Sequence, residues 1–440
     1  MLDVQSTEGT VKLETPRQRK LGVGILGAGT VGRGLIRLIQ DGLAHRPADV
    51  EIRKVGVRNL ARTRSLSLSN HLLTSDLKAI VDDAEIDIIV EVMGGLEPAR
   101  ALIELALRAG KHVVTANKHV VSECGEQLYQ LAAARGCCFL YEASVAGSIP
   151  IIEILTKGVI PDRIQSVYAI LNGTTNFILT RMAESGEDFH GALAKAQELG
   201  FSEPNPSFDI TGKDAGQKLS ILISILKNQH CHPAQIDIRG IDFLMPWDFQ
   251  FAAERQWVIK PLATYEEVDG FGFAGVEPVF VSRQSVFASV SNEYNALCLD
   301  CEHIGKQILI GKGAGELPTA SALLSDLRKI TEAAGKPQTM PMQPGPGAFT
   351  QFRSSIENPK FYRFYVSCSP RQPEKRRKIY EVFSIDSELI QERSPCPKSG
   401  FRLAVVTKPI PHSELFRILD LVLSFDPDAE VSWVRILEEI

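Results

Sequence analysis

A chain of 440 residues is too long for one hydrophobic core and implies two to four domains. Hydrophobic content of 44%, charged content of 23%, a net charge of −5 and a pI near 6.1 describe an ordinary globular protein, with no basic field to gather nucleic-acid phosphates. The polar first twenty residues lack a signal-peptide core, and the longest strongly apolar run, "LSILISIL", is too short for a membrane span, so the expected compartment is the cytoplasm. Eight cysteines do not make a disulfide scaffold. Cys298-Leu-Asp-Cys301 is a lone pair, and His230-Cys231-His232 does not complete four zinc ligands with it, so no zinc site is expected.

After a polar tail (1–20), "LGVGILGAGTV" reads as a short strand breaking into Gly27-Ala-Gly29-Thr30-Val31-Gly32, followed by a helical run. Strand, GxGxxG and helix in that order form the dinucleotide fingerprint: a tight turn, a close backbone approach to pyrophosphate, and a helix N-terminus facing it. "EIRKVGVR", "DIIVEVMGG", "HVVTANK" and "CCFLYEASVAG" read as further strands, with the amphipathic helix "LEPARALIELALRAG" between the second and third of these. Alternating strands and helices predict an α/β, doubly wound parallel sheet over 21–150, with ligand at the strands' carboxyl ends. Met93-Gly94-Gly95, Thr115–Lys118 and Glu142 fall there.

Arg58, Arg62 and Arg64 follow the second strand, where an NAD site would place an acid. The basic run serves equally as a solvated loop or as a reader of the NADP 2′-phosphate. From about 151 to 316 the texture changes to an α+β substrate domain, and a helix near 317–334 returns to the first sheet. Proline and glycine between 335 and 356 suggest a linker. Residues 357–440 form a small third α+β unit, with "KFYRFYVSCS", "KIYEVFSI" and "GFRLAVVTKPI" as strands and "SELFRILDLVLSF" as a helix.

The stretch "GFSEPNPSFDITGKDAGQK" gathers Glu203, Asp209 and Asp214 beside Lys213 and Lys218, just before "LSILISIL". Asp214 and Lys218 are four apart and share one helix face, acid before base. By pattern alone this is equally a wet surface turn or a buried polar site; Lys213 reads as a surface residue.

Seven blocks together, "GILGAGTVG", "VEVMGGLEPAR", "GKHVVTANK", "EASVAGSIPII", "LNGTTNFILTRM", "GFSEPNPSFDITGKDAGQKL" and "GKGAGELPTASALLSDL", resemble homoserine dehydrogenase over about 21–330. The resemblance implies reduction of aspartate 4-semialdehyde to homoserine with NAD(P)H, on the route to threonine, methionine and isoleucine. It implies Lys118 and Lys218 as active-site lysines, with Lys218 the proton donor. Glu203 and Asp214 match substrate-binding carboxylates and Asp209 a supporting acid, with Gly200 and Thr174 in the same group. Gly27, Gly29, Thr30, Val31, Gly32, Arg58, Gly94, Gly95, Lys118 and Gly315 are matched to the cofactor, with NADP(H) preferred over NAD(H). Glu142 with the carbonyls of Val145, Gly147 and Ile149 matches a monovalent cation site for Na+ or K+.

Asn205 and Ser148 depart from the family's usual aspartate and glycine. The last ninety residues faintly resemble an ACT regulatory domain, so threonine is a possible effector. The Lys375–Lys378 run where that domain has a small-residue turn predicts weak or absent threonine inhibition. The unit is expected to fold separately, so its deletion should spare catalysis. The resemblance further implies a homodimer or homotetramer; charge and the short apolar runs predict no nucleic-acid or membrane partner, and the early dinucleotide fold predicts no kinase module ahead of it. Two alternatives are a phosphorylating semialdehyde dehydrogenase and a catalytically silent NADP-binding sensor. The first needs a nucleophilic cysteine heading the second domain with a histidine partner, where only Cys231 is on offer. The second is opposed by the intact Lys118, Glu203, Asp214 and Lys218.

Overall fold

The computed structural model describes residues 19–42, 49–59, 69–332, 350–393, 402–437 and 440. Most of the N-terminal tail, Arg62, Arg64, the end of the expected return helix (333–334) and residues 335–349 of the expected linker lie outside the described residues.

The first sheet has six parallel strands in the spatial order Leu73–Thr74, Val50–Gly56, Leu21–Leu26, Ile88–Glu91, His112–Thr115, Phe139–Leu140. Strand order reverses between Leu21–Leu26 and Ile88–Glu91, which opens a crevice at their carboxyl ends. The helix Thr30–Gln40 buries Leu35, Ile36 and Leu38 on this sheet. A side chain at Gly34 would sit 2.6 Å from the Glu316 carbonyl oxygen, so glycine lets the helix Glu316–Glu332 lie directly alongside. Ala320, Leu323 and Leu327 of that returning helix share one core with Val23 and Ile25. The last strand is shorter than its apolar run suggests, because Glu142–Ser144 turn into a 3-10 helix.

The second sheet is built on Ile164–Ile170, Trp257–Val268, Phe271–Ser282, Tyr294–Cys301 and Gly305–Lys312. The helix Lys213–Lys227 is buried nearly continuously from Asp214 to Ile225 and ends at left-handed Asn228 (φ 49°). Its apolar turns join a core containing Val120 and Leu128, so the two domains share one interior.

The structure departs from two expectations for the C-terminal unit. "KIYEVFSI" is not a strand but belongs to the helix Arg376–Asp386, with Ile379 and Phe383 buried four residues apart, a helical and not an alternating period. Nor does the unit stand apart from the second sheet. Its order is strand Arg363–Ser369, helix, strand Ser387–Arg393, strand Arg402–Thr407, helix His412–Phe425, strand Glu430–Leu437, a split βαβ arrangement. The last strand runs parallel to Phe271–Ser282 through Val279↔Arg435 and Val281↔Leu437, fusing this unit to the catalytic sheet. Part of the expected linker, Gln351–Arg353, is itself a strand on Phe271–Phe273.

His412 heads a helix inside this unit, 1% exposed among Tyr362, Phe364 and Trp433, and its ring nitrogens meet no hydrogen-bond partner among the described residues. Burial, then the Arg435 charge, push the imidazole down to about 3. The unfolded chain therefore takes up a proton first as pH falls below about 6.5, and stability is lost progressively from there towards the folded value. Urea unfolding should show wild type losing about 2 kcal/mol more than His412→Phe between pH 7 and pH 5. Equal losses in both proteins would remove His412 as the cause.

Candidate active site

Four of the expected residues meet at one network. Lys213–Lys227 begins at left-handed Gly212 (φ 87°), where any side chain would press on Ile238 at 2.9 Å. This start turns Asp214 inward to 4% side-chain exposure, while Lys213 stays exposed. Asp214 Oδ1 faces Lys118 Nζ at 2.9 Å, and Oδ2 faces Lys218 Nζ at 2.7 Å. Lys218 also donates to the Leu171 carbonyl oxygen at 2.7 Å. Lys118 opens the helix Lys118–Ala134, so it stands at a helix start just past the strand His112–Thr115.

Asn172, which the sequence reading passed over, ties this network together. Its amide donates to Asp209 Oδ1 at 2.7 Å and Asp214 Oδ2 at 2.8 Å, while its oxygen accepts from the Thr175 N–H at 2.8 Å. The signal was the Asn-Gly-Thr-Thr run closing a strand, the pattern of a helix N-cap. Thr174 donates to the Phe201 carbonyl oxygen at 2.6 Å, just after the left-handed turn at Gly200 (φ 77°). Glu203 remains exposed on the rim, yet its charge reaches Lys118.

Burial alone would raise the Asp214 carboxyl, but the ammonium groups of Lys218 and Lys118 outweigh it and hold Asp214 well below the usual carboxylate range. The Asp214 charge in turn pushes Lys118 up against its partial burial. A lysine drawn towards neutrality by burial or by a second lysine is therefore not what Lys118 is; it keeps its proton. Asp209 is raised, first by burial and then by Asp214.

The dinucleotide side fits its ligand. Gly27 is left-handed (φ 109°), and a side chain at Gly32 would lie 2.3 Å from the Gly27 carbonyl oxygen. A side chain at Gly29 would meet nothing within 4 Å, so that face of the turn is open. Gly29 caps the helix that starts at Thr30 without a side-chain bond, and the first turn, with Val31, carries no acid. Its N–H groups are thus left for an anion. Gly94 and Gly95 (φ 76° and 75°) form the facing turn. Buried Glu91, a second residue the sequence reading missed, accepts from the Met93 N–H and the Thr115 hydroxyl at 2.7 Å each. Asn117 donates to the Gly95 carbonyl oxygen at 2.7 Å, linking that turn to Lys118. Gly315 (φ 126°) precedes the returning helix, and Arg58 stands exposed just beyond Val50–Gly56.

The cation set is less complete. Val145, Gly147 and Ile149 lie in a loop with consecutive left-handed residues, Ala146 (φ 55°) and Gly147 (φ 53°). Glu142 is 2% exposed, and its carboxyl is pushed up to about 7, by burial first and then by Asp326. Its two oxygens already accept the Ile152 and Glu153 N–H groups at 2.9 and 2.8 Å. No cluster of three or more His, Cys, Asp or Glu side chains suited to a metal ion occurs among the described residues.

Known proteins match both domains that frame this site. Residues 27–142 match the homoserine dehydrogenase NAD-binding domain and residues 150–327 match homoserine dehydrogenase. A homoserine dehydrogenase of Synechocystis is 41% identical over 314 residues, 70% of this chain and 72% of the relative. One of Bacillus subtilis is 36% identical over 309 residues, 69% of this chain and 71% of the relative. The crystal structure of a homoserine dehydrogenase from Thiobacillus denitrificans superposes with a TM-score of 0.86 at 32% identity, covering 95% of this chain and 98% of that one. A hyperthermophilic archaeal homoserine dehydrogenase in complex with NADPH has a TM-score of 0.60 at 25% identity, over 76% of this chain and 99% of that one. The glycine cradle, the paired lysines on one buried aspartate and these matches lead to one conclusion: the chain belongs to the homoserine dehydrogenase family of NAD(P)-dependent oxidoreductases.

Proposed function

We propose that the lysine–aspartate network performs the family's reaction, reduction of L-aspartate 4-semialdehyde to L-homoserine, with Lys218 as the proton donor. The observation carrying this is that Asp214 pulls two ammonium groups, Lys118 and Lys218, onto its two oxygens. Bound NAD(P)H supplies the hydride. Negative charge then grows on the aldehyde oxygen, and an ammonium beside it stabilises that charge and hands over a proton. Asp214 keeps both lysines fixed and Lys118 charged, and Asn172 keeps Asp214 from turning. Since the Asp214 oxygens are engaged by these partners, exposed Glu203 is the better placed carboxylate for the substrate ammonium. NADPH oxidation on addition of aspartate semialdehyde tests the assignment, and an inactive wild type would leave the silent-sensor reading.

The proposal includes preference for NADP(H), carried by Arg58 at the end of the second strand. Arg58→Ala should raise the NADPH Michaelis constant roughly ten- to hundredfold, the loss of a charge-assisted bond, and leave NADH nearly untouched. Equal effects on both cofactors would show that Arg58 does not read the 2′-phosphate. It also includes a cytoplasmic homodimer or homotetramer: Gly305–Lys312 is an end strand of the second sheet with Ile308 and Ile310 exposed. No helix among the described residues is long and apolar enough to cross a membrane. Threonine inhibition should be weak or absent, because Lys375–Lys378 run into the helix Arg376–Asp386 and leave no small-residue turn.

A further inference from the structure

The returning helix Glu316–Glu332 aims Lys329 into a group of three carboxylates, buried Glu142 and Asp326 and half-buried Glu153. Its Nζ lies 2.9 Å from Asp326 Oδ1, 3.2 Å from Glu153 Oε2 and 3.4 Å from Glu142 Oε2. Asp326 Oδ2 in turn accepts the Glu142 N–H at 2.9 Å. We infer that the Lys329 ammonium is a built-in cation that takes the place of a monovalent metal ion at Glu142, so that this protein folds and works without Na+ or K+.

Each carboxylate is already answered from within the chain. Glu153 meets Lys157 at 2.7 Å through its other oxygen, and Asp326 meets Lys329. Glu142 has two backbone amides and the same ammonium. A dissolved cation would have to shed its water and then compete with a positive group held at high effective concentration by its own helix. The remaining donors of the expected site, the carbonyls of Val145, Gly147 and Ile149, are neutral. The Ile149 oxygen already accepts the Ile151 N–H at 2.8 Å. The cluster joins the returning helix to the loop carrying Gly147, whose backbone packs against Gly313, so a fixed cation here braces the seam between the two domains.

The test compares sodium, potassium and choline chloride at equal ionic strength, reading the thermal midpoint and kcat/KM. Wild type should give the same values in all three salts. Lys329→Met should lower the midpoint by several degrees in choline, and Na+ or K+ should restore part of the loss. A wild type stabilised or activated by Na+ or K+ over choline would overturn the inference. So would a Lys329→Met protein equally weakened in all three salts, since Lys329 would then be an ordinary structural ion pair. If that variant does not fold, the wild-type midpoint still decides. The midpoint needs no substrate, so it stands apart from whether aspartate semialdehyde is turned over.

Discussion

Lys218→Ala should lower turnover of aspartate semialdehyde at least about 100-fold, the low end of what a positioned proton donor contributes. NADPH affinity, read by fluorescence titration, should stay within about twofold. The two effects separate because of where Lys218 sits. Its side chain is 12% exposed, held between Asp214 and the Leu171 carbonyl oxygen, whereas the glycine turns of the NAD-binding domain belong to the other sheet. Removing the amine also strips Asp214 of one of the two cations that keep it ionised, leaving Lys118 and the Asn172 amide to hold it. Part of the loss will therefore come from a looser Lys118. Lys118→Ala, read beside it, apportions the two: if the lysines act as a unit, the double variant should be scarcely worse than Lys218→Ala. Turnover within about tenfold of wild type, some 1.4 kcal/mol of barrier, would take Lys218 out of the mechanism.

The sequence showed the dinucleotide half well because each function there leaves a local mark. A glycine turn must follow a strand and open a helix, and Gly27–Gly32 do both. Lys118, Asp214 and Lys218 were legible as chemistry, but not their shared geometry. Nothing local says that two lysines one hundred positions apart end on opposite oxygens of one aspartate. Asn172 and Glu91 escaped for the same reason: each is a neutral or unremarkable strand-end residue until its partners arrive from elsewhere in the chain. At Glu142 a motif match implied a cation site, and nothing local shows that the ammonium 3.4 Å from its carboxylate is Lys329, from a helix far along the chain. The C-terminal unit misled through composition: a proline- and glycine-rich run suggests separation, but sheet pairing across it is non-local and leaves no periodic trace.

Deleting residues 357–440 should therefore yield an insoluble or strongly destabilised protein and not a free-standing catalytic core. The strand Phe271–Ser282 would lose Glu430–Leu437 and gain an open edge in the middle of what is now a continuous sheet. Phe280, fully buried and stacked on Tyr365 at 5.1 Å, would be uncovered with Val279 and Val281. The charge term is as large. Arg435 is 3% exposed, with its Nε 2.9 Å from Glu277 and its guanidinium 3.7 Å from Glu266. Glu266 also takes the Lys360 ammonium at 2.8 Å and the Tyr362 hydroxyl. Removing the whole unit leaves Glu266 and Glu277 in the sheet with every one of these partners gone. With the unit in place, removing only one partner of such a buried pair costs about 3–5 kcal/mol, against a total stability of about 5–15 kcal/mol. Arg435→Met probes the same junction without truncation, and should lower the thermal midpoint while leaving the Lys118–Asp214–Lys218 network in place. A soluble truncated protein with wild-type midpoint and turnover would show that the parallel pairing at Val279–Val281 adds little, and that the unit is a separable module after all.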